Sequence, residues 1–561
     1  MDGPAGNLRA STKKDFEKMN HPSKERSGLL TVSVLLGGFI FLYLSLFRLP
    51  AIPIPYLQGD SATYLFNASR MLHGQAIYRD FFEFTPPATE VFYLILFKIF
   101  GDRAWIPNGT LILLGLSAAY LMIVIARKVI PGKAAYLPAA LFLVVPFRSH
   151  LDATHHWFST VFAIAALAVV IQRITAMRLV VAGALCGVAV CFTQSTGLPA
   201  LLALGLFFLW AAATRQMSWI NFRRAQLYLW SPFVIVAVLF NVYFVFSAGL
   251  KTFLFQTVVF GLRYWRSEHW NRFSVYMTDM PVLHPWYRLP VFAIWASIYL
   301  LVPLIYILFF VRYRDEKTER TDMPWDRLVL IALMGLMLFL GVAAAPSWLR
   351  VSCAAPPGVI LFVWFMNSPG RFLRIRTAAL WAIVIILAVG ECGERWMGWQ
   401  QVVKLPIGRV VMYSRVEYQM VDFLLKDTKP GDYFFGNNVL NYLLDLRDPS
   451  PIPYVTSSDY TRPEQIQQTI QGLEKHDVKY IYWSSNFDMP PEAGGGSNHV
   501  APLRAYLVSH YQRVKSIEGD DCSRSFWEKL SDVPPAPIPP PIPLPPLDQD
   551  EASPANTNGQ N

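Results

Sequence analysis

The stretch Tyr56–Phe92, YLQGDSATYLFNASRMLHGQAIYRDFFEFTPPATEVF, places carboxylates directly after the first long apolar run of the chain. Three of its acids, Asp60, Asp80 and Glu83, lie between segments that are apolar enough to sit in lipid. A charged side chain close to lipid is unfavourable unless a partner or a function retains it. The role of these acids therefore depends on which side of the membrane they face.

The composition is that of a polytopic membrane protein. Of the 561 residues, 53% are hydrophobic and 16% are charged, whereas about a quarter of a soluble chain is charged. The apolar residues form long blocks rather than amphipathic patterns. The net charge of +10 comes mostly from Lys and Arg in short loops beside these blocks. This distribution indicates topology signals and lipid-phosphate contacts, not a nucleic-acid partner.

Hydrophobic blocks of the right length predict eleven membrane spans, since one span needs about 20 apolar residues. The predicted spans are 29–49, 107–126, 134–147, 157–172, 179–193, 197–213, 228–248, 289–311, 327–346, 353–367 and 377–393. The apolar segment Thr89–Phe100 is too short to cross, and we expect an interfacial helix there.

The positive charges of the loops predict the orientation. With eleven spans and a cytoplasmic N-terminus, six basic clusters fall on the cytoplasmic side, as the positive-inside rule requires. These clusters lie at 13–26, 127–133, 173–178, 215–224, 312–320 and 371–376. The stretch Tyr56–Phe92 and the chain after Glu394 are then extracytoplasmic. We expect an integral multi-pass protein of a bacterial-type inner or plasma membrane.

The chain after the last span reads as a small globular domain. An amphipathic helix near Val416–Leu424 precedes a Lys-Pro-Gly-Asp turn, and a helix at Pro463–Lys475 leads into a strand at Val478–Trp483. Alternating helices and strands predict an α/β domain. The sequence thus predicts four parts of the chain. They are a cytoplasmic segment 1–28, a membrane domain 29–394 with first external loop 50–106, the α/β domain 395–533, and a Pro-rich disordered tail 534–561.

The chemistry open to an extracytoplasmic acid is limited, because nucleotide sugars and ATP are absent there. An activated sugar donor must arrive on a lipid carrier, such as a polyprenyl phosphate. A carboxylate near the lipid surface can take a proton from the acceptor as it attacks the anomeric carbon, and basic residues can stabilise the departing phosphate. The same residues would also permit a proton-coupled transporter.

The segment Gly59–Gly101 resembles the first external loop of the GT-C class of membrane glycosyltransferases. The nearest resemblance is to the bacterial branch with protein mannosyltransferase-like and lipid A aminoarabinose transferase-like enzymes. The matching positions are Asp60; Tyr64, Ala68 and Leu72; Gly74, Tyr78 and Asp80; Pro86 and Pro87; and Phe100 and Gly101. The resemblance implies a polytopic α-helical fold of about eleven spans with a small C-terminal extracytoplasmic α/β domain. It also implies transfer from a polyprenyl-phosphate sugar to a lipid, glycan or protein acceptor.

The resemblance assigns roles to individual acids. It implies that Asp60 is the catalytic general base, although Ser61 stands where the family often has a second acid. Asp80 and Glu83 are the candidates for that second acid. Asp60 could instead be a helix N-cap, and Asp80 could pair with a neighbouring arginine.

The sequence leaves open whether the protein binds a divalent metal, because some family members bind one at the position that Glu83 matches. The lysine that follows this acid in the family is replaced by Phe84. The candidate metal ligands are therefore Glu83 and His269. The pair His155-His156 suggests a metal only weakly, and a polar helix start explains it as well.

Basic residues and one tyrosine of the predicted external loops are candidates to bind the donor phosphate and sugar. They are Arg148, His150, His155, His156, Arg263, Tyr264, Arg266, His269 and Arg350. The segment Gly261–Phe273 alternates Arg with Tyr and Trp, which suits sugar stacking and phosphate binding but also an interfacial anchoring belt.

Three classes of function remain from the sequence: a transferase, a transporter or flippase for a lipid-linked or anionic substrate, and a non-catalytic scaffold. A transporter would carry paired charges inside its spans and show inverted repeats, yet the predicted spans are almost purely apolar. A scaffold would not need the acid-rich loop. The sequence leaves open the donor sugar, which could be a hexose, a pentose or an amino sugar. It also leaves open the acceptor, the oligomeric state, and whether Cys392 and Cys522 pair.

Overall fold

The computed structural model describes residues 24–55, 59–268, 271–274, 289–368, 373–488, 499–519 and 522–531. The chain divides into two compact units. One comprises Met1–Asp432 and Asn437–Leu446, and the other comprises Tyr433–Gly436 and Arg447–Asn561. The predicted soluble domain, 395–533, is thus shared between the two units.

The larger unit is mainly helical. Its helices are α1 (Lys24–Leu46), α2 (Asp60–Leu72), α3 (Ala88–Phe100), α4 (Ile106–Ala126), α5 (Leu137–Phe142), α6 (His155–Gln172), α7 (Ala176–Phe192), α8 (Gln194–Ala213), α9 (Trp219–Ala248), α10 (Leu250–Leu254), α11 (Phe260–Arg263), α12 (Leu289–Ala296), α13 (Val302–Glu316), α14 (Trp325–Val342), α15 (Trp348–Ala354), α16 (Pro356–Met366), α17 (Leu373–Met397), α18 (Arg415–Asp427) and α19 (Asn438–Leu444). Shorter 3₁₀ and π turns lie at Gly132–Tyr136, Leu143–Phe147, Arg148–His150, Phe255–Val259, Trp265–Ser267 and Ser297–Leu301.

Eight helices among the described residues are long and apolar enough to cross a membrane. They are Gly28–Leu46, Ile106–Ala126, His155–Gln172, Gln194–Ala213, Trp219–Ala248, Val291–Glu316, Trp325–Val342 and Leu373–Met397. The pair α15 and α16, bent by 62° at its break, makes a ninth when counted as one span.

The other two predicted spans are helical but fall short of this length. Helix α7 has 17 residues, and the segment 132–150 is interrupted by a π turn that contains Pro146, which lacks the N–H of a regular helix. The predicted fold class, a polytopic helical membrane protein, is confirmed.

Helix α3 forms where the interfacial helix is predicted. It begins after Pro87 and is followed by the C-cap residue Gly101, whose φ of 75° lies in the region that favours glycine. Its 13 residues span about 20 Å, too little to cross a bilayer. Helix α3 packs against α2, so these two helices form a folded layer rather than an open loop.

The chain beyond the last span returns to this layer. Helix α19 packs on α2, where the Asn438 side chain donates to Thr63 Oγ1 at 3.2 Å. The Tyr442 ring stacks on Phe97 of α3 with ring centroids 6.2 Å apart. A segment that is remote in sequence therefore supports the helix that begins at Asp60.

Two small antiparallel pairs of strands complete the larger unit. Strands β1 (Phe47–Arg48) and β2 (Ile52–Pro53) follow α1, and strands β3 (Gln401–Leu405) and β4 (Gly408–Met412) form a hairpin after α17.

The smaller unit contains a four-stranded sheet in the order β5-β6-β8-β7. Its elements are β5 (Phe434–Phe435), α20 (Pro463–Lys475), β6 (Tyr480–Ser484), a 3₁₀ turn (Ser485–Asp488), α21 (Ala501–His510), β7 (Tyr511–Glu518) and β8 (Ser523–Lys529). Strand β5 pairs with β6 in parallel, and the other pairs are antiparallel. The predicted helix Pro463–Lys475 and the strand after it are confirmed. All five cysteines lie in the described residues and are free.

Candidate active site

Asp60 is the first residue of α2 and follows a sharp turn at Gly59. Gly59 occupies the N-cap position with φ 64° and ψ −133°, a conformation that a residue with a Cβ rarely adopts. Because Gly59 is the N-cap residue, the alternative role of Asp60 as N-cap is wrong. The Asp60 carboxylate instead lies in the first turn, where the helix dipole stabilises a negative charge.

Two histidines of α6 meet Asp60. Metal-binding atoms of Asp60, His155 and His156 all lie within 4.8 Å of one another. His155 and His156 are each 5% exposed, and their rings lie 4.0 Å apart in an edge-to-face arrangement. Asp60 keeps part of its surface exposed, so it is the accessible member of the three.

The loop before α6 is held from two sides. The Tyr93 hydroxyl of α3 donates to the carbonyl of Ala153 at 2.9 Å. The Trp157 indole donates to the carbonyl of His150 at 3.0 Å. These bonds set the position from which α6 presents its first two side chains.

Asp152 belongs to the same cluster, and the sequence reasoning missed it. Its carboxylate lies beside Ser61 and Gly59, and it interacts electrostatically with Asp60. Burial and the charge of Asp60 raise the pKa of Asp152 well above its usual range. The available signal was an acid three residues before the His155-His156 pair in a loop already predicted to be external.

Arg350 is the cation next to Asp60. It lies in α15, where Ser347 Oγ accepts from its backbone N–H at 3.4 Å. Its guanidinium donates to Asn271 Oδ1 at 2.9 Å and to the Ala345 carbonyl at 3.0 Å, and it lies 5.0 Å from the centre of the Trp265 ring.

Two opposing effects act on the pKa of Asp60. Burial raises the pKa of Asp60 above its ordinary value, and the positive charge of Arg350 lowers it in part. Arg350 also interacts electrostatically with His155 and His156. The structure therefore brings together four candidates from the sequence: Asp60, His155, His156 and Arg350.

Glu83 is buried nearby as a saturated hydrogen-bond acceptor. Its Oε1 accepts from the backbone N–H groups of Phe84 and Thr85 and from Thr85 Oγ1, at 2.9, 3.0 and 2.9 Å. Its Oε2 accepts from Asn67 Nδ2 at 3.0 Å. Burial raises the pKa of Glu83 to about 7. Binding a metal at Glu83 would mean breaking bonds that hold the turn before α3.

Asp80 lies in an exposed turn. Its Oδ2 accepts from the Ala76 backbone N–H at 2.7 Å, and its carboxylate pairs with Arg79 at 2.8 Å. The bond from Arg79 lowers the pKa of Asp80. This is the local pairing that the sequence offered as the alternative to a catalytic role.

The remaining candidates have other neighbours, although His150 also interacts electrostatically with His156. Arg148 forms an ion pair with Glu391 of α17. Arg263 and Arg266 are exposed, and Tyr264 packs on the Phe260 ring. The His150 ring contacts Trp348 with centroids 5.8 Å apart. His269 lies outside the described residues.

Comparison with known proteins finds similarity in structure only. No family model matches the sequence, and no curated protein does. Two solved structures of ArnT from Cupriavidus metallidurans, one bound to undecaprenyl phosphate and one in the apo state, are similar to the chain, each with a TM-score of 0.54. The chain has the ArnT fold.

The likeness to the ArnT fold extends over most of the molecule. In each comparison it covers 91% of this chain and 99% of the ArnT chain, at 13% sequence identity. The predicted resemblance to aminoarabinose transferase-like GT-C proteins is confirmed at the level of the fold. At this identity the similarity shows the fold alone.

Proposed function

We propose that the protein is a membrane glycosyltransferase. It transfers a sugar from a polyprenyl-phosphate-linked donor to an extracytoplasmic lipid, glycan or protein acceptor. The observation that carries this proposal is the convergence of Asp60, Arg350 and two buried histidines at one place in a chain with the ArnT fold. One of the similar ArnT structures is bound to undecaprenyl phosphate, a lipid of the class that such a donor contains.

Asp60 is the general base in this proposal. It takes the proton of the acceptor hydroxyl or amine as that atom forms a bond to the anomeric carbon. The bond from this carbon to the phosphate oxygen breaks, and its electron pair leaves with the polyprenyl phosphate. A raised pKa makes Asp60 a stronger base than an exposed aspartate, while Arg350 is placed to stabilise the phosphate.

The test is sugar transfer by purified, detergent-solubilised protein. Radiolabelled polyprenyl-phosphate hexose and pentose donors are offered in parallel with an envelope extract that contains lipids, glycans and proteins. We expect labelled product with the wild type and a loss of at least about 100-fold with Asp60→Asn, because a general base contributes about 100- to 10,000-fold.

The matched control is Asp422→Asn, which removes an exposed carboxylate that, within the described part of the chain, pairs with Lys426 on α18. It should transfer sugar at the wild-type rate. All variants are first checked for equal yield and a single peak in size-exclusion chromatography. If wild-type protein binds undecaprenyl phosphate yet forms no product with either donor, a transporter or flippase replaces the transferase.

A further inference from the structure

We propose that Asp60, His155 and His156 bind a divalent transition-metal ion, Zn²⁺ in preference to Mg²⁺. Their metal-binding atoms already lie within 4.8 Å of one another. A tetrahedral zinc site has its ligand atoms about 3.3–3.5 Å apart, so small side-chain rotations would close the site. This inference rests on the proposed function in assigning the ion to the transferase site.

The donor set decides the class of ion. Two imidazoles and one carboxylate are a ligand set used by catalytic zinc sites, which keep a further position open. Mg²⁺ prefers six oxygen ligands and retains its water, so two buried imidazoles do not suit it. Asp60 is the one of the three that is partly exposed, which places the open position on the accessible side.

The imidazole of His156 provides an independent observation. His156 is 5% exposed, and its Nδ1 has no hydrogen-bond partner among the described residues. A buried polar atom without a partner is unfavourable, and in native proteins it requires an explanation. A bound ion, or its coordinated water, would provide the missing partner.

The imidazole of His155 is oriented in the way that metal ligands usually are. Its Nδ1 forms a hydrogen bond with the Tyr64 hydroxyl of α2. This leaves Nε2 as the ligand atom. Metal-binding histidines commonly direct their second ring nitrogen to such a partner, which sets the tautomer and the ring orientation.

The surrounding charges are compatible with a bound cation, which could help to bind the donor phosphate. Arg350 repels an ion, but the carboxylate of Asp60 lies within the same cluster and offsets this repulsion. The ion and Arg350 together would then form an anion-binding site for the donor phosphate.

The test measures metal binding directly. Untagged protein is stripped with a chelator, dialysed against Zn²⁺ or Co²⁺, and analysed for metal content by mass spectrometry and for the visible absorption of bound Co²⁺. We expect about one ion per chain for the wild type. Asp60→Asn, His155→Ala and His156→Ala should each lose the ion. Tyr64→Phe should bind it about 10- to 100-fold more weakly.

The matched control is His73→Ala, because His73 is exposed and, among the described residues, its ring bonds to the carbonyl of Ser69 on its own helix. It should bind as the wild type does. Asp60→Asn preserves the size of its side chain, so it tests the site even if loss of a buried histidine prevents folding. Absence of the ion in the wild type, or retention of it in Asp60→Asn, would overturn the inference.

Transfer assays on the same samples separate the two proposals. Transfer that continues in protein without metal leaves the transferase standing and removes the role of the ion in transfer. Stoichiometric metal that depends on Asp60 and both histidines, in protein without transfer, removes the transferase and leaves the metal site.

Discussion

Glu83 illustrates how a buried acid can serve the fold. It is 2% exposed and accepts hydrogen bonds from two backbone N–H groups and two side chains. Its backbone N–H donates to Gln256 Oε1 at 3.0 Å, and Gln256 Nε2 donates to the Tyr78 carbonyl at 2.9 Å. Glu83 thereby joins the turn before α3 to the segment after α10.

Glu83 makes stability depend on pH. Its pKa is about 7 in the folded protein, against an ordinary value of 4.5. Between these values the folded protein keeps a proton that the unfolded chain releases. The free energy of unfolding should therefore fall by about 3 kcal/mol as the pH rises from about 4.5 to about 7. Two more acids facing it, Glu90 and Asp60, also have raised pKa values and act in the same direction.

Glu83→Gln should make this decline shallower, because the amide has no charge to desolvate. The measurement is the midpoint of thermal unfolding in detergent at pH 5 and pH 7.5, followed by tryptophan fluorescence. Glu319→Gln, at an exposed position, is the control and should retain the wild-type slope. Parallel curves for Glu83→Gln and the wild type would show that Glu83 is ionised throughout this range.

At the scale of elements, close backbone approach decides how α7 and α9 pack. A Cβ at Gly187 would lie 2.9 Å from the Phe233 carbonyl oxygen, and one at Gly183 would lie 2.8 Å from Pro232 Cγ and against the Leu229 carbonyl. The two glycines are four residues apart and so lie on one face of α7. Small residues at this spacing allow helices in membranes to approach closely.

Gly183→Ala should therefore lower stability by about 1–3 kcal/mol, since the backbone it would contact cannot rotate away. Thermal unfolding in detergent measures the change. Gly37→Ala on α1 is the control, because a Cβ there meets nothing within 4 Å, and it should match the wild type. Equal midpoints for the two variants would mean that α7 and α9 separate without strain.

At the scale of the whole molecule, the sidedness of the spans remains a prediction from the loop charges. It places Val508 of α21 outside the cell and Glu319 of the loop after α13 inside. We would introduce Val508→Cys and Glu319→Cys singly into protein in which Cys392 and Cys522 are replaced by Ser. The other three cysteines are buried and should not react.

An impermeant maleimide should then label Val508→Cys on intact cells and Glu319→Cys only after lysis. Both introduced positions are exposed in the structure, so a failure to label reports sidedness rather than burial. The opposite pattern would invert the orientation and place Asp60 in the cytoplasm, where donors on nucleotides are available.

The sequence by itself determined the class of the protein and much of its helical framework. Long apolar blocks can be read locally, because each residue contributes to lipid solubility whatever its neighbours do. The same holds for the helix Pro463–Lys475, whose amphipathic period and following strand are confirmed. The resemblance of the segment after Gly59 was also enough to single out Asp60 among the acids of the chain.

Only the tertiary structure decided what surrounds Asp60. Arg350 approaches it from α15, Asp152 from the loop before α6, and α19 supports α2 from beyond the last span. Arg148, equally basic in sequence, is instead paired with Glu391. Which residues lie near Asp60 depends on the packing of helices that are distant in the chain, and local hydropathy carries no information about that packing.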